Sequence, residues 1–408
     1  MRKCGGGTSA FISSYEPFGC SEVPGKDTEN DIAKGDHPKL NRDTTSEALS
    51  SAFSNLDYEI CVQPLRDLLN NPAASEKVSY KEGPAPAVSG ACVVAVMVDE
   101  DSQDIYVAHT GDTRAVAGYW LAPEIDSNGV HFEGGWRCEV LTADHSSKNA
   151  GEVKKLEQEH PGEENVLDPE YGRLWGALMP TRAFGNVIRR TENPTWWLKE
   201  LKPAYDPSTH TTPPYVTARP DVTGRSLERN KDVKGQLKFI IAATDGLWDL
   251  LSSEEAVGVV ATHLAHPQRE PVPRKTVLAR LLDQRRPSRE LCPGPRQKED
   301  ALDGEWVCQD DNAATHLIRN AFGASEAIGT AHQMLSLTPP LSRNFRDDVT
   351  CSVIFFGPPT AGGEKRQSES GNPKAETGML TNLLRRWEMS PVGMRPSGFA
   401  WKHPLAHV

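Results

Sequence analysis

The 408-residue sequence contains no Cys-x-x-Cys pair. Its eight cysteines, Cys4, Cys20, Cys61, Cys92, Cys138, Cys292, Cys308 and Cys351, are scattered. That distribution excludes the usual zinc and redox motifs and suits buried thiols in a reducing compartment better than a disulfide framework. No uninterrupted apolar run reaches about 18 residues, so no membrane span is expected. Basic residues are in deficit: the formal charge is −11. A surface of that sign argues against nucleic acid or an anionic membrane as partner, because both attract basic faces. Residues 1–45 carry seven acids and six bases and lack an apolar core. Neither a secretory signal nor an acid-poor transit peptide is therefore visible there. Glycine-rich phosphate loops, internal repeats and β-α-β units are missing as well.

What is present is a soluble, loop-containing composition, 37% hydrophobic and 25% charged, in a chain long enough to bury a sizeable core. Residues 1–43 are rich in Gly, Ser, Pro and charge and read as poorly ordered. Thr44-Thr45-Ser46-Glu47 has a capping-box pattern, opening a helix with Leu49, Phe53, Leu56 and Ile60 on its apolar face. Ala91 to Val98 is a short Val-rich run, a buried strand, and Ile105 to Ala108 begins its hairpin return. Further strands are expected at Ala115–Trp120, Phe239–Ala243 and Val349–Phe356. Helices are expected at 149–160, after Ser252-Ser253-Glu254-Glu255, and over Asp311–Phe322. Residues 266–304 read as a mobile insertion and 358–408 as a flexible tail. Irregular alternation of strands and helices favours an α+β fold with antiparallel sheets and packed helices.

Three turns at strand ends are acidic: Asp112 beside Gly111, Asp245 and Asp249 around Gly246, and Asp347-Asp348. In the segment Ile240 to Asp249 an apolar strand runs straight into a carboxylate, and the glycine after it is expected to turn the backbone sharply. Hard divalent cations take oxygen ligands held on such rigid scaffolds, and Mg²⁺ typically uses one or two carboxylates. If the three turns converge, they suit phosphate-ester hydrolysis, in which a cation acidifies water and neutralises phosphoryl charge.

Five segments in order resemble the successive motifs of the metal-dependent PPM-type (type 2C) Ser/Thr protein phosphatases. They are Gly111-Asp112-Thr113-Arg114-Ala115-Val116, Leu141-Thr142-Ala143-Asp144-His145, Leu178 to Gly185, Ala243 to Asp249, and Arg346 to Thr350. Leu174 to Pro180, Thr211 to Ala218 and Asn312 to Arg319 resemble the pyruvate dehydrogenase phosphatase branch. The resemblance covers residues 44–357, about three quarters of the chain. It implies two antiparallel sheets packed as a sandwich flanked by helices, with Mg²⁺ or Mn²⁺ ions at one end. Asp245 and Asp347 would hold the first ion; Asp112 and Asp249, with Asp245, would line a weaker site. The implied reaction is attack of a metal-activated water on phosphoserine of a protein substrate, with the pyruvate dehydrogenase complex as a candidate and the mitochondrial matrix as the location. Arg182 and His145 match motif positions and are assigned to structure.

One family element is missing. Its Asp-Gly-His-Gly segment, whose Asp bridges two ions, has no counterpart upstream of Thr44, and Gly35-Asp36-His37-Pro38 has the residue types in the wrong order. Two close cations repel, so without the bridging acid the second ion is expected to bind poorly. The reading taken is a phosphatase whose chain here is N-terminally incomplete. The alternative is a catalytically impaired relative acting as a binding module, towards which Asn186, at a position where the family motif usually has Asp, leans. A metal-binding scaffold unrelated to hydrolases fits the ordered motifs poorly.

Overall fold

The computed structural model describes residues 42–63, 85–99, 102–125, 129, 131–163, 166–187, 212–227, 235–265, 270–281, 304–323, 333, 335–338 and 341–357. Readings made on residues 1–41, on 266–269 and 282–303 of the insertion, and on the 358–408 tail lie outside these. The principal elements are α1 (Arg42–Cys61), β1 (Val93–Asp99), β2 (Asp104–Thr110), β3 (Thr113–Leu121), β4 (Gly135–Val140), α2 (Ala150–Glu159), β5 (Asp221–Ser226), β6 (Gln236–Thr244), α3 (Ser253–Ala265), α4 (Ala313–Ala321) and β7 (Cys351–Phe355).

The strands make a three-stranded sheet in the order β1-β2-β5 and a four-stranded sheet in the order β7-β6-β3-β4. Every pairing in them is antiparallel. Alternation of side chains along each strand builds the layers. Val94, Ile105 and Val107 of the first sheet meet Ala115, Ala117, Ile240 and Ala242 of the second in one shared core. The opposite face of the four-stranded sheet, Val116, Phe239 and Ile241, packs on α3 and α4 through Val257, Val260 and Leu317. Ala108 and Val93, on the outer face of the three-stranded sheet, pack with Phe53 of α1. The α+β sandwich expected from the sequence is thus four layers, helix–sheet–sheet–helix. Strands that are apolar on both faces read as continuous hydrophobic runs, which is why Ala91–Val98 looked the way it did.

Local signals place the helices. Ser252 and Glu255 form a reciprocal capping box: the Ser252 N–H donates to Glu255 Oε2 at 2.8 Å and the Glu255 N–H to Ser252 Oγ at 3.1 Å. Asn149 caps α2 by accepting from Gly151 N–H at 2.9 Å. Asn312 caps α4 and Gly323, at φ +71°, follows its end. In α1 the helix starts ahead of the capping-box pattern, and Leu56 remains 48% exposed. Asp57 turns inward on that helical turn instead, accepting from Gly185 N–H at 3.1 Å.

The stretch read as an insertion contributes to the core. Val272-Pro273 pairs antiparallel with Glu305-Trp306, and Val272, Val277, Leu281 and Trp306 all join the cluster under the four-stranded sheet. Trp306 is 1% exposed and lies so close to α3 that a side chain at Gly258 would meet its ring at 2.9 Å. Trp306→Ala is expected to cost about 3–5 kcal/mol, the range for emptying a large aromatic site in a core. Urea denaturation followed by circular dichroism measures it, and a loss below about 1 kcal/mol would place Trp306 outside the cooperative core.

Candidate metal centre

Antiparallel pairing brings chain ends of alternating direction to one edge of the four-stranded sheet. Thr244, last in β6, pairs with Thr113, first in β3. Ala243 pairs with Cys351, first in β7. Past Val140, the end of β4, the chain stays alongside β3: Leu141 N–H donates to Ala115 O, and Ala115 N–H to Thr142 Oγ1, both at 2.9 Å. All four strands therefore open onto the same edge, and each carries an acid there. Asp347 precedes β7, Asp245 follows β6, Asp112 precedes β3 and Asp144 follows β4.

Asp245 begins a single helical turn, Asp245–Trp248. Asp249 closes it, its N–H donating to Asp245 O at 2.7 Å. Gly246 does not serve the sharp reversal expected from the sequence. Its backbone is helical, and what demands glycine is proximity: a Cβ there would lie 2.5 Å from the carbonyl oxygen of Asp348. The absent side chain lets the segment before β7 pass directly against Gly246. Thr244 completes the lock, its N–H reaching Thr350 O at 3.0 Å and its hydroxyl donating to Asp348 O at 3.2 Å. At Gly111 the expected turn is present, at φ +95°.

The electrostatics of the edge are those of crowded like charges. Burial, then the neighbouring Asp347, Asp249 and Asp144 carboxylates, push Asp245 up to about 7. Asp112 is raised well above the carboxylate range by burial and by Asp144 and Asp245. Asp249 is raised by burial, with Lys148 opposing and Asp347 reinforcing the shift. The four sequence candidates, Asp112, Asp245, Asp249 and Asp347, thus meet in one electrostatically coupled group. Crowded oxygen donors are the kind a hard divalent cation takes, although among the described residues the three side chains whose ligand atoms lie within 4.8 Å of one another are others, His145, Glu152 and Asp221.

Asp144 completes that group and was not singled out beforehand. Arg114 Nε donates to its Oδ1 at 3.0 Å, with a second bond from Nη2 to Oδ2. The guanidinium also donates to Ser253 Oγ at 3.1 Å and lies 5.0 Å from the centroid of the Trp248 ring. Arg114 is 1% exposed, and a buried Arg demands an acid partner. An arginine in an otherwise apolar strand, two residues after Asp112, was the available signal.

A second polar cluster lies behind Gly111. His145, Glu152 and Asp221 present ligand atoms within 4.8 Å of one another, a spacing a metal could use. Arg182 already supplies the cation. Its Nε donates to Glu152 at 2.9 Å and its Nη1 to Asp221 at 2.8 Å, with a further Nη2–Glu152 bond. Although burial opposes it, hydrogen bonds from His145 and Arg182 hold Asp221 well below the usual carboxylate range. These bonds satisfy the cluster internally and hold Arg182 and His145 in place, while the Asp221 side chain stays half-exposed at its rim. Asn186, at φ +49°, donates its backbone N–H to Ser89 O at 2.9 Å. Its side chain covers Gly90, where a Cβ would meet Nδ2 at 2.3 Å.

Sequence comparison assigns this sandwich to a family. Residues 27–279 match the family described as Protein phosphatase 2C, and the chain belongs to that family. It is 31% identical over 325 residues to pyruvate dehydrogenase (acetyl-transferring) phosphatase 1, mitochondrial, of Saccharomyces cerevisiae, covering 76% of this chain and 53% of the relative. It is 34% identical over 348 residues to the mitochondrial phosphatase 2 of that kind from Homo sapiens, covering 78% and 56%. With a protein phosphatase 2C homolog of Schizosaccharomyces pombe it shares 33% identity over 316 residues, covering 76% and 62%. The chain thus spans between about half and three fifths of these relatives' lengths. Among solved structures it resembles a serine-threonine phosphatase 2C from Toxoplasma gondii, with a TM-score of 0.37 and 18% identity over 79% of this chain and 72% of that one. The family assignment stands on the sequence matches.

The raised Asp245 carboxyl makes a thermodynamic prediction for the protein held in EDTA. Its folded pKa lies above the unfolded value, so between the two the folded state binds more protons and stability falls as pH rises towards about 7. Asp245→Asn removes that penalty. In EDTA the variant is expected to melt higher than wild type at neutral pH and to lose this advantage in acid, below the ordinary carboxyl value of 3.8. Calorimetric melts across that range check it; an equal or lower melting temperature at neutral pH would mean that Asp245 is not held against its neighbours.

Proposed function

We propose that this chain carries the phosphatase domain of a metal-dependent protein serine/threonine phosphatase that hydrolyses phosphoserine on a protein substrate. The observation that carries the reading is the meeting of Asp112, Asp245, Asp249 and Asp347 at one sheet edge. Asp245 and Asp347 would hold the principal divalent cation, and Asp112 and Asp249 would face a weaker one beside Asp245. Bound Mg²⁺ or Mn²⁺ supplies charge neutralisation at the phosphoryl oxygens and lowers the pKa of a coordinated water. The chain's own residues provide the rigid frame: Thr244 ties β6 to the segment before β7, and Gly246 lets that segment pass directly against it. Arg114 neutralises Asp144, which would otherwise stand as a further uncompensated buried acid.

The substrate reading follows two of the relatives named above, those of Saccharomyces cerevisiae and Homo sapiens, which are mitochondrial phosphatases of pyruvate dehydrogenase. A phosphorylated subunit of that complex is the substrate we assign, and the mitochondrion the compartment. A sequence with a −11 charge suits a protein substrate rather than a nucleic acid. No helix among the described residues is long and apolar enough to cross a membrane.

The purified chain is expected to hydrolyse p-nitrophenyl phosphate and a phosphoserine peptide with Mn²⁺, and to stop in EDTA. Asp245→Asn and Asp347→Asn are expected to reduce the rate to the level without protein. Hydrolysis that survives both EDTA and the substitutions would overturn the metal mechanism. Mn²⁺ binding without turnover would identify a binding module rather than an enzyme.

A further inference from the structure

Gly111 and Asp112 form the link by which the chain leaves β2 in one sheet and enters β3 in the other. Few positions along the chain carry so many constraints. Gly111 stands at φ +95°, and a Cβ there would lie 2.3 Å from Cys92 Sγ, so no other residue type fits without displacement. The Asp112 N–H points at the same sulfur, at 3.4 Å. Thr110, just before, donates its hydroxyl to Ala218 O at 3.1 Å.

A single residue grips both polar groups of Gly111. The His145 N–H donates to Gly111 O at 3.2 Å, and the Gly111 N–H donates to His145 Nδ1 at 3.1 Å. A nitrogen that accepts carries no proton, so the ring proton lies on Nε2. Nε2 donates to Asp221 Oδ2 at 3.0 Å. Asp221 is held in turn by Arg182, which is anchored on Glu152. The His145 ring is fully buried and stacks on His109 with centroids 4.1 Å apart. The bonds are therefore continuous from Glu152 to Gly111: Arg182 donates to Glu152 and to Asp221, His145 donates to Asp221, and Gly111 donates to His145. Groups that orient a ligand-bearing element commonly govern metal affinity as strongly as contacts to the ligand itself.

We propose that His145 is a positioning residue: its Nδ1, selected as the acceptor by Asp221, fixes the backbone of Gly111, the residue before Asp112, and so aims the Asp112 carboxylate towards Asp245. This rests on the reading that Asp112 faces a divalent cation. It adds a function to a residue that the motif resemblance leaves as structural filler.

The test is Mn²⁺ binding by the full chain, followed by the electron paramagnetic resonance signal of free Mn²⁺, with a thermal melt of each variant. His145→Asn places an amide oxygen close to the position of Nδ1 and keeps an acceptor for Gly111. His145→Gln places its polar group near Nε2 and removes that acceptor. His145→Gln is expected to weaken the site that Asp112→Ala removes by about tenfold or more, the scale for losing a group behind a metal ligand. His145→Asn is expected to stay near wild type although both variants melt lower. In an Asp112→Ala background, His145→Gln is expected to have no further effect on Mn²⁺ binding.

Equal weakening by Asn and Gln, or an effect of Gln that persists without the Asp112 carboxylate, overturns the proposal. If neither histidine variant folds, Asp221→Ala replaces them, since its side chain is half-exposed; unchanged Mn²⁺ affinity there overturns the proposal too. The underlying reading fails separately. Asp112→Ala without any change in Mn²⁺ binding removes Asp112 from the cation site, whereas Asp112→Ala weakening alongside an inert His145→Gln overturns the positioning role alone.

Discussion

Repulsion between carboxylates confined to one sheet edge is the constraint on which the rest of the structure depends. Left to itself a chain would separate Asp112, Asp245, Asp249 and Asp347, since each burial or approach raises the free energy of the charged forms. The fold holds them together with interactions that have nothing to do with charge. Two sheets sharing an apolar core, and helices sealing the outer faces, supply the driving force. The result is a stored electrostatic cost of the kind a divalent cation would relieve, which is the basis of the proposed metal site.

The geometry of the exchange is simple. In an antiparallel sheet, neighbouring strands deliver opposite chain ends to the same edge, so β7, β6, β3 and β4 place four acids side by side without any long excursion. Close approach is then a matter of what is left out. Gly246 has no side chain because the Asp348 carbonyl occupies that space, and Gly111 has none because Cys92 does. Around this edge the cations are rationed. Arg114 is committed to Asp144, Arg182 to Glu152 and Asp221, and Lys148 stands as an exposed influence on Asp112 and Asp249.

Much of this was legible in the sequence, for identifiable reasons. Strand-ending Asp245 and the Asp347-Asp348 pair beside an apolar run were visible because a short continuous apolar run and an adjacent acid are both local signals. The capping box at Ser252 was visible for the same reason. The Arg114–Asp144 pair was not, because its partners are 30 residues apart and only the β3–β4 pairing unites them. Gly246 was given a turn when it serves a close approach, a distinction that sequence cannot draw without the segment lying over it. The core part of 266–304 was obscured by composition: Val272, Val277 and Leu281 are few among Pro and Arg, yet all three pack. His145 was read as held by its neighbours, which it is; that it also holds Gly111 depends on which ring nitrogen accepts, a property of the folded protein alone.

The most direct measurement is an anomalous-difference map from crystals of the full chain grown with Mn²⁺, collected near the manganese absorption edge. The account predicts a strong peak bounded by the carboxylates of Asp245 and Asp347. An edge without a peak, or density seated instead among His145, Glu152 and Asp221, would contradict it.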